Sequence, residues 1–368
     1  MFLTASNLIH FLLDRDLLSA ADVVGRPVAI VESGRRCRNF KVHQGERDGL
    51  FVKQIRTTAP DAIETLTREA KFYEMVTEAE DLTALKKLIP AFSDFDTSRH
   101  ALTVGLVPEA ENVNEVHFRL QRFPPEIGEL LGRGLGTYHK EAAISAQGFS
   151  SGLFPGQLPW ILHLDPQTLA PLNTFGPNVG PPLIEMLCQR PYLLAHLETL
   201  GAGYQFDTLI HGDMKWDNMV VHPVTKGGAH DLKVIDWELA DIGDAAWDIA
   251  SVFASYILYV LLSQPQMGAV RDPKAPTRQD LLLVNAKPSM ARFWESYVEM
   301  RGFDRNGGRI GLIRTMTYLA ARLVVSVFEG LINNTMQMQQ AVMLMDMAEQ
   351  VARMPQKAAF DIIGPLDS

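Results

Sequence analysis

Asp213 stands in "IHGDMKWDN", Asn218 closes that stretch five residues later, and Asp236 stands in "VIDWE", eighteen residues beyond Asn218. Each adjoins a short apolar run: "DTLI" before the first, "MVV" after the second and "LKVI" before the third. Side chains at the ends of such runs can be presented to a ligand. A carboxylate at Asp213 can orient and deprotonate an attacking hydroxyl. The neutral oxygen of Asn218 and the charged oxygen of Asp236, completed by water and phosphate, suit the octahedral preference of magnesium. Singly, each would be a turn cap or a strand-end carboxylate. Together, in this order, they point to a proton acceptor and a divalent-cation site.

These groups need supports. The runs "RPVAIVES", "CRNFKVHQ" and "LFVKQI", with a turn at "GERDG", predict an antiparallel meander. A long helix follows in "DAIETLTREAKFYEMVTEAE", with Asp61 placed as its cap. Two more strands are expected in "LIPAFSDF" and "ALTVGLV". A short amphipathic helix, capped by Ser6 or Asn7, opens the chain. Residues 1–107 should therefore form a small sheet carrying one long helix. Residues 108–368 read as mainly helical, beginning with "EIGELLGRGLGTYHKEAA" despite its glycines. The Pro- and Gly-rich insert at 148–182 is long for a structureless connection, which marks it as functional or disordered. The Met-rich stretch "TMQMQQAVMLMDMAEQ" reads as adaptable core packing.

Composition narrows the classes. A chain of 368 residues should hold two or more packed units. Its formal charge of −9 repels polyphosphate, so no nucleic-acid partner is expected. Cys37 and Cys188 form no metal or disulfide pattern, which suits reduced thiols in a cytoplasmic protein. The N-terminus lacks the basic leader and cleavage site of a signal peptide. The apolar core "IASVFASYILYVLL" falls short of the roughly 20 residues of a membrane span, so a buried helix and no membrane partner are expected.

"HGDMKWDN" with "IDWE" resembles the aminoglycoside phosphotransferase and choline kinase family, whose fold is similar to that of protein kinases. The resemblance implies an α+β, two-lobed kinase-like fold, with residues 1–107 as the sheet-bearing N-lobe and 108–368 as the helical C-lobe. It implies ATP and Mg2+ as cofactors, with ATP in the cleft. By the kinase template, Asp213 is the base and Asn218 and Asp236 hold magnesium, while Lys215 steadies the transferring phosphoryl group. Lys53, in "GLFVKQI", takes the place of the phosphate-holding lysine, and Glu69 that of its helix partner. Asp248, in "GDAAWDIA", becomes a scaffold residue beneath the catalytic loop, and His139 and His211 are structural. The phosphate loop is loose: "ESGRRCRNFKV" offers Gly34 alone, with Arg35 and Asn39 as further nucleotide-binding candidates and Arg36 and Arg38 beside them. Adenine is expected against the backbone near Val104 and Leu106.

For the acceptor, the motifs resemble a bacterial subset associated with lanthipeptide and thioamitide biosynthesis. This implies a Ser or Thr hydroxyl of a precursor peptide, with a possible partner enzyme in the same complex. Phe154, Trp160 and Phe175 in the insert suit gripping such a peptide or lidding an apolar alcohol, and suit a polycationic sugar poorly. A small-molecule kinase for an amino sugar, antibiotic or other alcohol is the alternative. A pseudokinase partner subunit comes third, because Lys53, Asp213, Asn218 and Asp236 are all present.

Overall fold

The computed structural model describes residues 2–25, 27–34, 37–45, 48–145, 152–164, 170–223, 230–262 and 278–364. They group into two compact units, Met1–Val113 with Asp217–Ala240, and Asn114–Trp216 with Asp241–Ser368. The sequence expectation cut the chain once, at 107. The first unit also takes 217–240 because that segment pairs with the end of its own chain: Glu111 lies opposite Val221 and Asn112 opposite Val220.

In the first unit, helices α1 (Leu8–Asp14) and α2 (Ala20–Gly25) precede a five-stranded antiparallel sheet. Its strands are β1 (Val28–Ser33), β2 (Cys37–Gln44), β3 (Asp48–Ile55), β4 (Phe92–Asp96) and β5 (Ala101–Gly105), in the order β1-β2-β3-β5-β4. Alternation divides the sheet's two faces. Phe40, Val42, Val52 and Ala101 pack with Leu8, Phe11 and Leu12 of α1. Lys53 points the other way, directly opposite Asn39 of β2. Helix α3 (Pro60–Glu78) buries Leu66, Glu69, Phe72, Tyr73 and Val76, a helical spacing.

Three local expectations change. Asp61 lies within the first turn of α3, because Pro60 starts the helix and Ala59 takes the cap position without a side-chain bond. Asn7 does take the cap of α1, yet its side chain accepts from the Thr4 amide at 2.7 Å instead. "LIPAFSDF" also divides: Leu88 ends α4 (Thr83–Leu88), and the strand begins only at Phe92. A second sheet in this unit joins β6 (Glu111–Asn112), β8 (Met219–Pro223) and β9 (His230–Val234).

In the second unit, α5 (Val113–Leu120) and α6 (Pro125–Ser145) lead to α7 (Gly180–Cys188) and α8 (Pro191–Ala202). Strands β7 (Thr208–Ile210) and β10 (Asp241–Gly243) pair antiparallel. Helices α9 (Ala245–Leu262), α10 (Arg278–Arg301), α11 (Arg305–Ile332), α12 (Met338–Arg353) and α13 (Pro355–Ile363) follow. The glycines of α6 have a packing reason. A Cβ at Gly128 would come within 2.1 Å of the Ser289 carbonyl, and one at Gly132 within 2.2 Å of that of Phe293, both on α10. Helices α9 and α11 are long and apolar enough to cross a membrane, but 83% and 72% of those windows are buried inside the protein. They are core helices here.

The described part of the insert is anchored. Phe154, Ile161 and Leu162 are buried, and the Asp241 carboxylate accepts from the amides of Gly156 and Gln157, both at 2.8 Å. Trp160 and Phe175 both pack against Phe328, with ring centroids 5.0 and 5.1 Å away.

Candidate active site

The first unit carries one set of candidate residues. Lys53 Nζ lies 2.7 Å from Glu69 Oε2, contacts Asp236 directly, and lies 3.8 Å from Glu238. Burial works against its charge, but the three carboxylates outweigh it and hold the ammonium well above the ordinary lysine range. Asp236 adopts the left-handed conformation (φ 67°), which turns its carboxylate out of the strand path. Asn218 and Asp236 come together through register. Met219 pairs with Val234, and the Ile235 amide donates to the Asn218 carbonyl at 2.9 Å. Both side chains therefore leave the same end of the β8–β9 ladder.

This set passes a test of fit for magnesium. Carboxylate oxygens of Glu69, Asp236 and Glu238 all lie within 4.8 Å of one another. An all-oxygen donor set beside a lysine suits a hard divalent ion and a phosphate.

The phosphate-loop candidates divide. Gly34 (φ 105°) must be glycine, since a Cβ would meet the Cys37 carbonyl at 2.7 Å and Asn39 Nδ2 at 2.9 Å. Arg35 and Arg36 lie outside the described residues. Arg38 turns to the N-terminal segment, donating to the Leu3 carbonyl at 3.3 Å and lying over the Phe2 ring. Val104 sits inside the sheet ladder, and the Leu106 amide donates to the Gly49 carbonyl at 2.9 Å, so that donor is already engaged.

The second unit carries Asp213. Gly212 supplies a positive φ of 81°, and the amides of His211 and Gly212 donate to Asp248 at 2.8 and 3.0 Å. Asp248 thus lies under the loop. His139, fully buried, meets Asp248 at 3.3 Å and the Tyr297 hydroxyl at 3.1 Å, and burial pushes its pKa down, so it is neutral scaffold. His211 Nδ1 accepts from the Asp213 amide at 3.2 Å, which stiffens the turn.

Asp213 itself is 9% exposed. Lys215 Nζ lies 2.6 Å from its Oδ2, and Arg322 Nη2 lies 3.3 Å from its Oδ1. Burial alone would raise its pKa, but the two cations overcome this and hold the carboxyl below its usual range. The charge of Glu329 acts in turn on Lys215. Trp216 is core, packed among His117, Phe123, Tyr256 and Tyr259. Glu238, Arg322 and Glu329 are absent from the sequence expectation. Arg322 had a signal: it is the lone charge in the apolar run "YLAARLVVSVF".

A kinase-like fold with these two clusters defines a phosphoryl-transfer class, and comparison with solved structures agrees on the fold. Ethanolamine kinase of Plasmodium vivax aligns at a TM-score of 0.59 and 14% identity, covering 97% of this chain and 92% of that one. Choline kinase of Cryptosporidium parvum Iowa II aligns at 0.58 and 12% identity, covering 99% and 100%. A point mutant of an aminoglycoside 2′-phosphotransferase, in complex with GDP, aligns at 0.54 and 12%, covering 97% and 100%. A curated relative, acyl-CoA dehydrogenase family member 10 of Mus musculus, is 37% identical over 91 residues. That match spans 25% of this chain and 8% of the relative's length. The model of the phosphotransferase enzyme family (APH) matches residues 28–260, and the chain belongs to that family.

Proposed function

We propose that this protein transfers the γ-phosphoryl group of ATP, with magnesium, to the hydroxyl of a small molecule. The observation that carries the reading is the Asp213 carboxylate, ionised and held at the tip of a stiffened loop between Lys215 and Arg322. Asp213 orients the acceptor hydroxyl and takes its proton as the new phosphate ester forms. Lys215 meets the negative charge that spreads over the transferring group. Lys53, steadied by Glu69, holds the nucleotide phosphates. Asn218 and Asp236, with Glu238 beside them, would hold magnesium, which neutralises charge on the β- and γ-phosphates when bound.

A Ser or Thr of a peptide is the second reading. It leaned on an open, aromatic insert, whereas Phe154 is buried and Gly156 and Gln157 are bonded to Asp241. An insert anchored at Phe154, Gly156 and Gln157 is less suited to wrapping an extended chain, although Phe175 stays exposed. The test is mass spectrometry of products after incubating the protein with MgATP and a panel of amino alcohols, amino sugars, polyols, hydroxy acids and Ser/Thr peptides. A phosphorylated small molecule, lost in Asp213→Asn, is the expected result. Phosphopeptide with no small-molecule product would reverse the order of the two readings, and ATP binding without any transfer would sink both.

A further inference from the structure

We propose that Arg322 is a positioning residue for Asp213, fixing one carboxylate oxygen so that the other can be turned to the acceptor hydroxyl. The proposal rests on reading Asp213 as the base. Two cations grip that carboxylate, and they differ in freedom. Lys215, on the same loop, has 35% of its side chain exposed, so an arriving phosphoryl group can draw it from Oδ2. Arg322 comes from α11, with 6% of its side chain exposed. Its guanidinium lies 5.1 Å over the Trp247 ring, and the Trp247 indole N–H donates to the Gly212 carbonyl at 3.0 Å. The arginine is therefore tied to the very loop it serves. When Lys215 turns away, Arg322 still holds Oδ1.

Packing alone does not explain an arginine here. The residues on either side of it in α11, Ala320, Ala321, Leu323 and Val324, are apolar, and its Nε is buried without a hydrogen-bond partner. A hydrophobic side chain would fill that place at lower cost. Arg322 also lies outside the span that matches the family model, 28–260. Charged and titratable groups around Asp213 are His211 and Lys215 from its own loop, Asp248 of α9 beneath the loop, and Arg322 of α11, with Glu329 acting on Lys215.

The test is a carbon-13 NMR titration of the Asp213 carboxyl in the whole, nucleotide-free protein, assigned by its loss in Asp213→Asn. Arg322→Met should make Asp213 bind its proton about tenfold more tightly, and Arg322→Lys should restore most of the difference. With water as the probe acceptor, the Met variant should hydrolyse ATP about tenfold more slowly at an unchanged KM for ATP, with partial recovery in the Lys variant. An unchanged titration in a folded Met variant would overturn the proposal. If that variant does not fold, Arg322→Gln, which keeps a polar contact without the charge, decides in the same way. A shifted titration with unchanged hydrolysis would leave electrostatics without a positioning role, and so also overturns it. Failure of the base reading is distinct: Asp213→Asn would then retain hydrolysis.

Discussion

Around Lys53 one ammonium faces three carboxylates, whereas around Asp213 one carboxylate faces two cations. Lys53, Glu69, Asp213 and Arg322 are buried, Asp236, Glu238 and Lys215 partly exposed, and each cluster lies within a different compact unit. Their surpluses are opposite in sign. Buried charge that is not matched locally must be matched by a ligand or it costs stability. Under the proposed function, a divalent ion arriving with a polyphosphate meets the acid surplus at Lys53. Under it, too, a transferring phosphoryl group meets the cation surplus at Asp213 at the moment of reaction. The same few residue types, inverted in ratio, are thereby proposed to form a binding cluster and a reacting cluster.

The most direct way to break that division is Asp213→Asn. Turnover should fall by roughly 10²–10⁴-fold, the range for a general base, while nucleotide binding stays close to wild type. Loss of nucleotide affinity in this variant would show that the two clusters are not separate in role. The complementary change is Asp236→Ala. It should weaken magnesium-dependent nucleotide binding by at least about tenfold, as loss of a metal's partner does elsewhere. Calorimetry with and without magnesium checks it, and equal affinities under both conditions in wild type would remove the metal from the first cluster.

The two clusters should also fail at opposite ends of the pH scale. Asp213 has a depressed folded pKa, so its contribution to stability is present above the unfolded value of about 3.9 and is lost as pH falls through the folded one. Lys53 has a raised folded pKa, so its contribution is present below about 10.4 and is lost as pH rises through the folded value. Urea midpoints measured across pH should show a shallower acid slope in Asp213→Asn with the alkaline slope unchanged. Lys53→Met should do the reverse, and should also cost stability at neutral pH because three carboxylates are left facing one another. Identical slopes in all three proteins would show that neither pair is coupled to folding.

Much of the binding cluster was legible in the chain, because its parts belong to local patterns. Lys53 lies in a strand, Glu69 in the next helix, and Asn218 and Asp236 at the mouth of one hairpin. Strand β2 spans Cys37–Gln44, as its run of β-formers predicts, and Asn39 falls opposite Lys53 through ordinary antiparallel register. The reacting cluster was legible only in its loop. Arg322 reaches Asp213 from 109 residues away, and no local period records such a pairing. The lone charge in an apolar helical run says that a partner exists without naming it. The insert's anchor was hidden for a related reason. Its Pro and Gly content predicts irregular backbone, but the anchor, Asp241, lies far along the chain, where its carboxylate accepts from the Gly156 and Gln157 amides.

The gentlest change sharpens the comparison most. Glu329 is the one acid whose charge acts on Lys215 from α11, so it partly offsets the cation surplus of the reacting cluster. Arg322 and Glu329 are seven residues apart, two turns of the same helix, and thus share a face. Lys215 is about one-third exposed, and solvent screens the pull of Glu329 on it. Exposed pairs of this kind contribute about 0.2–1 kcal/mol, which in a rate is a factor of up to roughly five. Glu329→Gln should therefore alter kcat for ATP hydrolysis within that factor and leave the KM for ATP unchanged, since the change leaves the Lys53 cluster intact. A loss approaching that of Asp213→Asn would mean that Glu329 touches the reacting groups itself. The cluster would then be balanced in charge, two acids to two cations, and the contrast with Lys53 would rest on position instead of sign.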